Sequence, residues 1–298
     1  MAQPMPTAVL GHTGLKVTRL GYGTGHRKPM DDSERDAVLN AVLDAGINFI
    51  DTADDYGLTY DDDNSSEKLI GRYISHRQSE FYVATKCGGS ESGHIWTKEN
   101  VFRNLHDSLK RLKADHVDLM QLHGATVEDC ERDRLVESLS EMREQGKVRW
   151  IGASTNLPDL ATFLEWSVFD VFQLPYSALE RGHEGWITRA AEAGSGIVIR
   201  GGVALGEPGT GKGNPIQWGK FERARLDELR AENESRTAFM VRFTLSHPHT
   251  HTNIVGTTNL NHLTENTKAV LTGPLAAGVY EEAKRRLDAV GERPTPVT

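Results

Sequence analysis

The sequence predicts a (β/α)8 barrel, on three observations. Eight short β-rich runs alternate with longer helical patterns along the chain. The runs are apolar throughout, as strands covered on both faces of a parallel sheet must be. The first run leads into "GYGTGHRKPMDD", whose glycines miss the G-x-G-x-x-G turn of an open dinucleotide-binding sheet.

The elements follow in order. Ahead of the first strand, "AVLGHTGLKV" reads as a hairpin turning at His12-Thr13-Gly14, placed to plug the N-terminal end of the barrel. The strands are "VTRLGYG", "INFID", "FYVATK", "VDLMQLH", "VRWIGAS", "DVFQLPY", "GIVIRG" and "TNIVGT". Among the helices between them, "SERDAVLNAVLDAG" ends at Gly46, and Gly146 follows another, both at expected C-caps. "TKENVFRNLHDSLKRLK" puts Val101, Leu105, Leu109 and Leu112 on one face, with Thr97 as its N-cap. Two segments exceed this plan: residues 58–65, "LTYDDDNS", and 203–218, "VALGEPGTGKGNPIQW". The second, rich in glycine and proline, reads as a mobile surface loop. Without a linker or internal repeat, residues 1–298 read as one domain.

Composition narrows the function. A net charge of −8 argues against a general nucleic-acid binder. It leaves room for an anionic cofactor held by helix N-termini. The two cysteines, Cys87 and Cys130, make no disulfide framework, which suits a reducing compartment. The N-terminus lacks a signal-peptide pattern and no run approaches a membrane span, so a cytoplasmic protein is expected. No sequence mark specifies an oligomeric state.

A barrel places its chemistry at the C-terminal ends of strands. "INFID" ends at Asp51 with Tyr56 in the next loop, "FYVATK" at Lys86, and "VDLMQLH" at His123. Neighbouring strands bring these four together. A phenol holds its proton to a pKa of about 10, and an adjacent ammonium is expected to lower that value. Asp51 would hold the lysine in place, which explains a buried strand ending in a carboxylate. His123 would orient a substrate oxygen. Such a group suits proton donation to an alkoxide forming from a carbonyl. The hydride would have to come from a bound cofactor.

"NFIDTADDYG", "ATKCG", "SLKRLKADHVDLMQLHG", "GKVRWIGAST" and "IVGTTNLNHLTEN" together resemble the aldo-keto reductase superfamily, over nearly the whole chain. The resemblance implies a barrel that reduces aldehydes and ketones with NADPH, less often NADH. It implies a catalytic tetrad at Asp51, Tyr56, Lys86 and His123. It also places Ser154 and Gln173 on the nicotinamide carboxamide, with Thr155 where asparagine is usual. Arg200 stands where many members stack an aromatic on the nicotinamide. Glu265 and Asn266 fall on the adenine edge, and Gly256, Thr257 and Thr258 on the turn holding the 2′-phosphate. That turn's common lysine is Gly256 here, and the common arginine is His262. The resemblance keeps NADPH as the first choice of cofactor, and those two replacements, which weaken the grip on a 2′-phosphate, make NADH the next.

Blander readings compete for several residues. Cys87 reads as a small buried apolar side chain. His247, His249 and His251 alternate, but no carboxylate or cysteine joins them at metal-site spacing, so they read as turn residues. Tyr22, Trp96 and Trp218 could line a pocket, with ordinary packing as the default. The leading function is reduction of a small carbonyl compound, or oxidation of the corresponding alcohol. The alternatives are an NAD-dependent sugar or cyclic-alcohol dehydrogenase and, from another class, a cofactor-sensing regulatory subunit. A metal-dependent hydrolase ranks last, because no strand-end cluster of histidines and carboxylates is visible, and no metal is expected.

Overall fold

The computed structural model describes residues 3–25, 32–57, 65–90 and 93–297, so most of the segment 58–65 lies outside the described residues. The chain opens with an antiparallel hairpin, β1 (Thr7–Val9) against β2 (Lys16–Thr18). The barrel strands β3 (Leu20–Gly23), β4 (Phe49–Asp51) and β5 (Tyr82–Cys87) follow. A short hairpin comes next, β6 (Gly89–Ser90) with β7 (Gly93–His94). The barrel resumes with β8 (Val117–His123), β9 (Val148–Ser154), β10 (Val171–Pro175), β11 (Gly196–Arg200) and β12 (Thr252–Val255). These eight strands close a parallel barrel in chain order, β12 pairing back to β3.

Helices wrap the outside. They are α1 (Asp32–Asp44), α2 (Ser66–Tyr73), α3 (Lys98–Leu112), α4 (Val127–Asp133), α5 (Leu135–Glu144) and α6 (Asp159–Trp166). After β10 come α7 (Glu184–Glu192), α8 (Pro215–Arg223), α9 (Arg236–Ser246), α10 (Leu260–Thr272) and α11 (Ala277–Ala289). On α3, Val101, Leu105 and Leu112 are buried, Leu109 packs partly, and the Thr97 hydroxyl accepts the Asn100 N–H at 3.2 Å. No helix among the described residues is long and apolar enough to cross a membrane.

Two expectations need correcting. The first strand, expected over 17–23, is divided, because Arg19 turns the chain from one sheet to the other. Its N–H donates to the Pro6 carbonyl on the hairpin side, while its own carbonyl accepts from Asn253 of β12. The segment 203–218 is not loop throughout, since its last four residues begin α8. Asn214 caps that helix by accepting from the Ile216 N–H at 2.8 Å. Trp218 is buried and donates from Nε1 to the Ala204 carbonyl at 3.1 Å, so it pins the turn.

The plug explains why chemistry belongs at the other end. Leu10, Leu15 and Val17 of the hairpin pack with Phe49, Ala84, Leu119, Val171 and Val198 from inside the strands. Gly11 makes this approach feasible. Its φ is +53°, and a Cβ there would lie 2.3 Å from the Gly196 nitrogen. With the N-terminal end filled, the C-terminal ends of the strands form the open mouth.

Candidate active site

Asp51, Tyr56, Lys86 and His123 meet at that mouth. Asp51 and Lys86 are each about 2 % exposed or less, and Lys86 Nζ lies 2.8 Å from Asp51 Oδ2. Lys86 also donates to the Thr52 carbonyl at 2.7 Å and to the Tyr56 hydroxyl at 3.4 Å. The His123 ring stands edge-on to the Tyr56 ring, with centroids 5.6 Å apart. Strand register makes the gathering automatic, since Asp51 pairs with Ala84, Lys86 with Gln121, and His123 with Ser154.

The loop carrying Tyr56 is held from below. The Ser66 N–H donates to the Tyr56 carbonyl, and the Thr52 and Ser66 hydroxyls lie 2.7 Å apart. Glu67, fully buried, accepts from Thr85 and from Arg111 Nε at 2.7 Å. Gly25 lies over the phenol, where a Cβ would be 3.2 Å from the ring.

The electrostatics correct one expectation. Burial pushes the Tyr56 phenol above its ordinary value by more than the neighbouring Lys86 ammonium pulls it down. The reason is desolvation, which penalises the phenolate in a mouth only partly open to water. Tyr56 is therefore a protonated phenol at neutral pH. Burial also pulls the Lys86 ammonium down, but Asp51 and then Tyr56 push it further up, and it stays charged.

The sequence reading missed Gln121, Asp54, Asp55 and His94, and the contact that Gln173 makes with Asp51. Gln121 and Gln173 both donate to Asp51 Oδ1, at 3.4 and 2.8 Å. The alternation Leu119, Gln121, His123 along β8 was the available signal, because it puts a polar side chain on the face that carries the histidine. Gln173, expected on the carboxamide, thus has its amide nitrogen committed to Asp51. Asp55 and His94 also stand beside His123. Asp55 Oδ1 is 3.4 Å from His123 Nδ1, and Asp55 Oδ2 is 3.6 Å from His94 Nε2. A cluster of histidines and a carboxylate thus exists at a strand end, contrary to expectation, because two members come from loops. Asp54, next in the chain, is buried with its carboxyl pushed up to about 7, chiefly by desolvation and then by Asp55 and Glu67.

Of the expected cofactor residues, Ser154, Gln173 and Arg200 lie on β9, β10 and β11, and the others follow β9 or β12 or lie in α10. Ser154, Thr155, Gln173 and Asn266 are buried, and Asn266 Oδ1 has no hydrogen-bond partner. Arg200, at the end of β11, donates to Asn156 Oδ1 at 2.7 Å, and burial pulls its guanidinium down from its ordinary value. Gly256 and His262 are exposed, while Thr257, Thr258 and Glu265 are half-buried. The Thr257 hydroxyl accepts the Asn259 N–H at 3.0 Å, and Asn259 caps α10. Tyr22 and Trp96 are buried, and the Tyr22 hydroxyl donates to the Thr257 carbonyl at 2.8 Å, tying the β3 end to this turn. His247 and His251 meet backbone groups of α7, of the turn before β12 and of β11, and the Glu184 side chain acts on His247.

A closed parallel barrel with polar side chains converging at one mouth has the form of a barrel enzyme. The chain belongs to the aldo/keto reductase family, whose model matches residues 19–287. It is 31% identical to the uncharacterized oxidoreductase YqkF of Bacillus subtilis, over 66% of this chain and 64% of that protein. It is 27% identical to the L-galactose dehydrogenase of Arabidopsis thaliana, over 95% of this chain and 93% of that one. Among solved structures, the holo form of the aldo-keto reductase AKR11C1 from Bacillus halodurans superposes with a TM-score of 0.81 at 26% identity, covering 95% of this chain and 96% of that one. The apo form of that protein superposes with a TM-score of 0.76 at 25% identity, covering the same shares. The chain is thus an oxidoreductase by family.

Proposed function

We propose that the protein reduces aldehydes or ketones to alcohols with a nicotinamide cofactor. The carrying observation is the ion pair of Asp51 and Lys86 running to the Tyr56 hydroxyl, beside His123, at the open barrel end. Tyr56 is the proton donor, and its upward shift keeps the proton on the phenol until an alkoxide forms. Lys86 stabilises the phenolate left behind, and Asp51 fixes Lys86. His123 orients the carbonyl oxygen towards Tyr56.

The residues fit a dinucleotide. Ser154, Thr155 and Gln173 would meet the nicotinamide end, with Arg200 lying near it. Glu265 and Asn266 would take the adenine, and the orphaned Asn266 Oδ1 is an acceptor awaiting a donor such as an adenine amine. Gly256, Thr257, Thr258 and His262 would surround the ribose phosphate at the start of α10. When bound, the reduced nicotinamide supplies hydride to the carbonyl carbon.

NADPH is the first choice from the family resemblance, and NADH is a serious second because Gly256 and His262 offer no permanent cation to a 2′-phosphate. A charge-assisted hydrogen bond contributes about 1.5–3 kcal/mol, so without one the preference for NADPH is expected to be no more than about tenfold. A fluorescence titration with both cofactors checks this, and a preference above about a hundredfold for NADPH would contradict it. The same weak grip favours a second reading, an NAD-dependent sugar or cyclic-alcohol dehydrogenase, and the likeness to L-galactose dehydrogenase adds to it. The decisive experiment for the first reading is stopped-flow oxidation of reduced cofactor by the purified protein with a reactive aldehyde. Transfer of the pro-R hydrogen is expected, and no oxidation with any simple aldehyde or ketone would refute the proposal.

A further inference from the structure

We infer that Asp55, His94 and His123 form a binding site for one divalent transition ion, with zinc the best match, and that the ion suppresses carbonyl reduction. One donor atom from each residue lies within 4.8 Å of the others. Zinc bonds to imidazole nitrogen and carboxylate oxygen measure about 2.0–2.2 Å, so tetrahedral neighbours sit about 3.3–3.5 Å apart. The nearest approaches, 3.4 Å from Asp55 Oδ1 to His123 Nδ1 and 3.6 Å from Asp55 Oδ2 to His94 Nε2, are close to that spacing, each histidine facing a different oxygen of the carboxylate. Two histidines and one carboxylate are a donor set that zinc takes readily, and three protein ligands leave a position for water.

Two further features bear on the site. Asp55 Oδ1 and His123 Nδ1 are both shielded from solvent and face each other at 3.4 Å, with no better-placed hydrogen-bond partner. The arm carrying His94 is also anchored. In the β6–β7 register His94 faces Gly89, whose N–H donates to Asp54 Oδ2 at 3.0 Å. Asn104 binds the same strand twice, accepting from the Gly88 N–H and donating to the Gly89 carbonyl, each at 3.0 Å. Trp96 backs the His94 ring at 5.4 Å, and Gly88 leaves room for that indole, since a Cβ there would lie 2.3 Å from it. Access follows from graded exposure of the side chains, 38% for His94, 30% for Asp55 and 20% for His123.

The inhibitory half rests on the role given to His123 in the preceding subsection. An ion bound there draws the His123 ring towards His94 and away from Tyr56. A displacement of about 1 Å of a positioning group can cost about a hundredfold in rate.

The test separates the two halves. The full chain, free of cofactor and substrate, is titrated with cobalt(II) as a spectroscopic stand-in for zinc, and zinc competes it off. One ion per chain with intense ligand-field bands is expected. Loss of an outer-shell partner weakens a metal site about 10–100-fold, so loss of a ligand in His94→Ala or Asp55→Asn should weaken it by about a hundredfold or more. Circular dichroism confirms that each variant is folded. Unsaturable binding, or equal binding by the variants, overturns the site. Zinc should also slow the wild-type turnover reversibly, with a chelator restoring it, and His94→Ala should resist zinc relative to its own metal-free rate. Tight binding with unaltered turnover overturns the inhibitory half, as does a chain with no reductase activity. In that last case the cobalt spectrum still decides the site.

Discussion

Tyr56→Phe is expected to lose carbonyl reduction by about 10²–10⁴-fold, the usual worth of a positioned general acid, while still binding cofactor. Its stability should change by less than about 1 kcal/mol, because it gives up a single long hydrogen bond to Lys86. Lys86→Met should lose activity on a similar scale, but with a different signature. Asp51, 2% exposed, would then keep its two glutamine donors and no cation. Removing one partner of a buried ion pair costs about 3–5 kcal/mol, mostly from the charge left behind. The double variant Asp51→Asn with Lys86→Met should regain most of that stability and none of the activity. Urea denaturation and steady-state rates on these proteins, with the single variant Asp51→Asn added to complete the cycle, measure both outcomes. Near-wild-type turnover in Tyr56→Phe would remove the phenol from its role. Additive stability losses in the double variant would show that the pair is not coupled.

The barrel and the convergence at its mouth were legible in the sequence because both follow from periodicity and register. Apolar runs at strand length fix the sheet, and residues ending adjacent parallel strands must lie side by side. Asp51, Lys86 and His123 are strand-end residues and so were found. Asp55 and His94 belong to loops, and their approach to His123 depends on how Asp54 and Asn104 anchor the β6–β7 hairpin. No spacing rule encodes such a contact. The direction of the Tyr56 shift was also out of reach. Lysine proximity could be read from strand order, but desolvation depends on how deeply the loop is seated, which Gly25 and Ser66 decide. The turn around Trp218 shows the same limit, because glycine and proline mark irregular backbone without saying that an indole will pin it.

Acid should weaken the fold well above the pH at which ordinary carboxylates titrate. His183, His247 and His251 are each pushed down to about 4, first of all by burial. Hydrogen bonding explains why they must stay neutral. Ring nitrogens of His183 and His251 accept backbone N–H groups from Leu157 and Ile197, at 3.2 and 2.9 Å. His247 accepts from the His249 N–H at 3.3 Å, while its other nitrogen faces the Glu184 carbonyl at 3.1 Å. An unfolded histidine takes up its proton near pH 6.5. Between that pH and about 4 the unfolded chain binds more protons, so stability falls as pH falls. At pH 5 the loss is about 2 kcal/mol for each histidine at most. Asp54 acts in the opposite sense. Its folded carboxyl, at about 7, keeps a proton that the unfolded one releases, so acidification through this range favours folding and offsets roughly one histidine. Three against one leaves a net loss. Urea midpoints at pH 7.5 and pH 5 should therefore differ clearly. In His251→Asn, whose amide oxygen can still accept the Ile197 N–H, the difference should shrink by about half, since one of a net two histidines is removed. An unchanged pH dependence in that variant would mean that His251 titrates normally in the folded chain, and that its bond to β11 is not what holds it neutral.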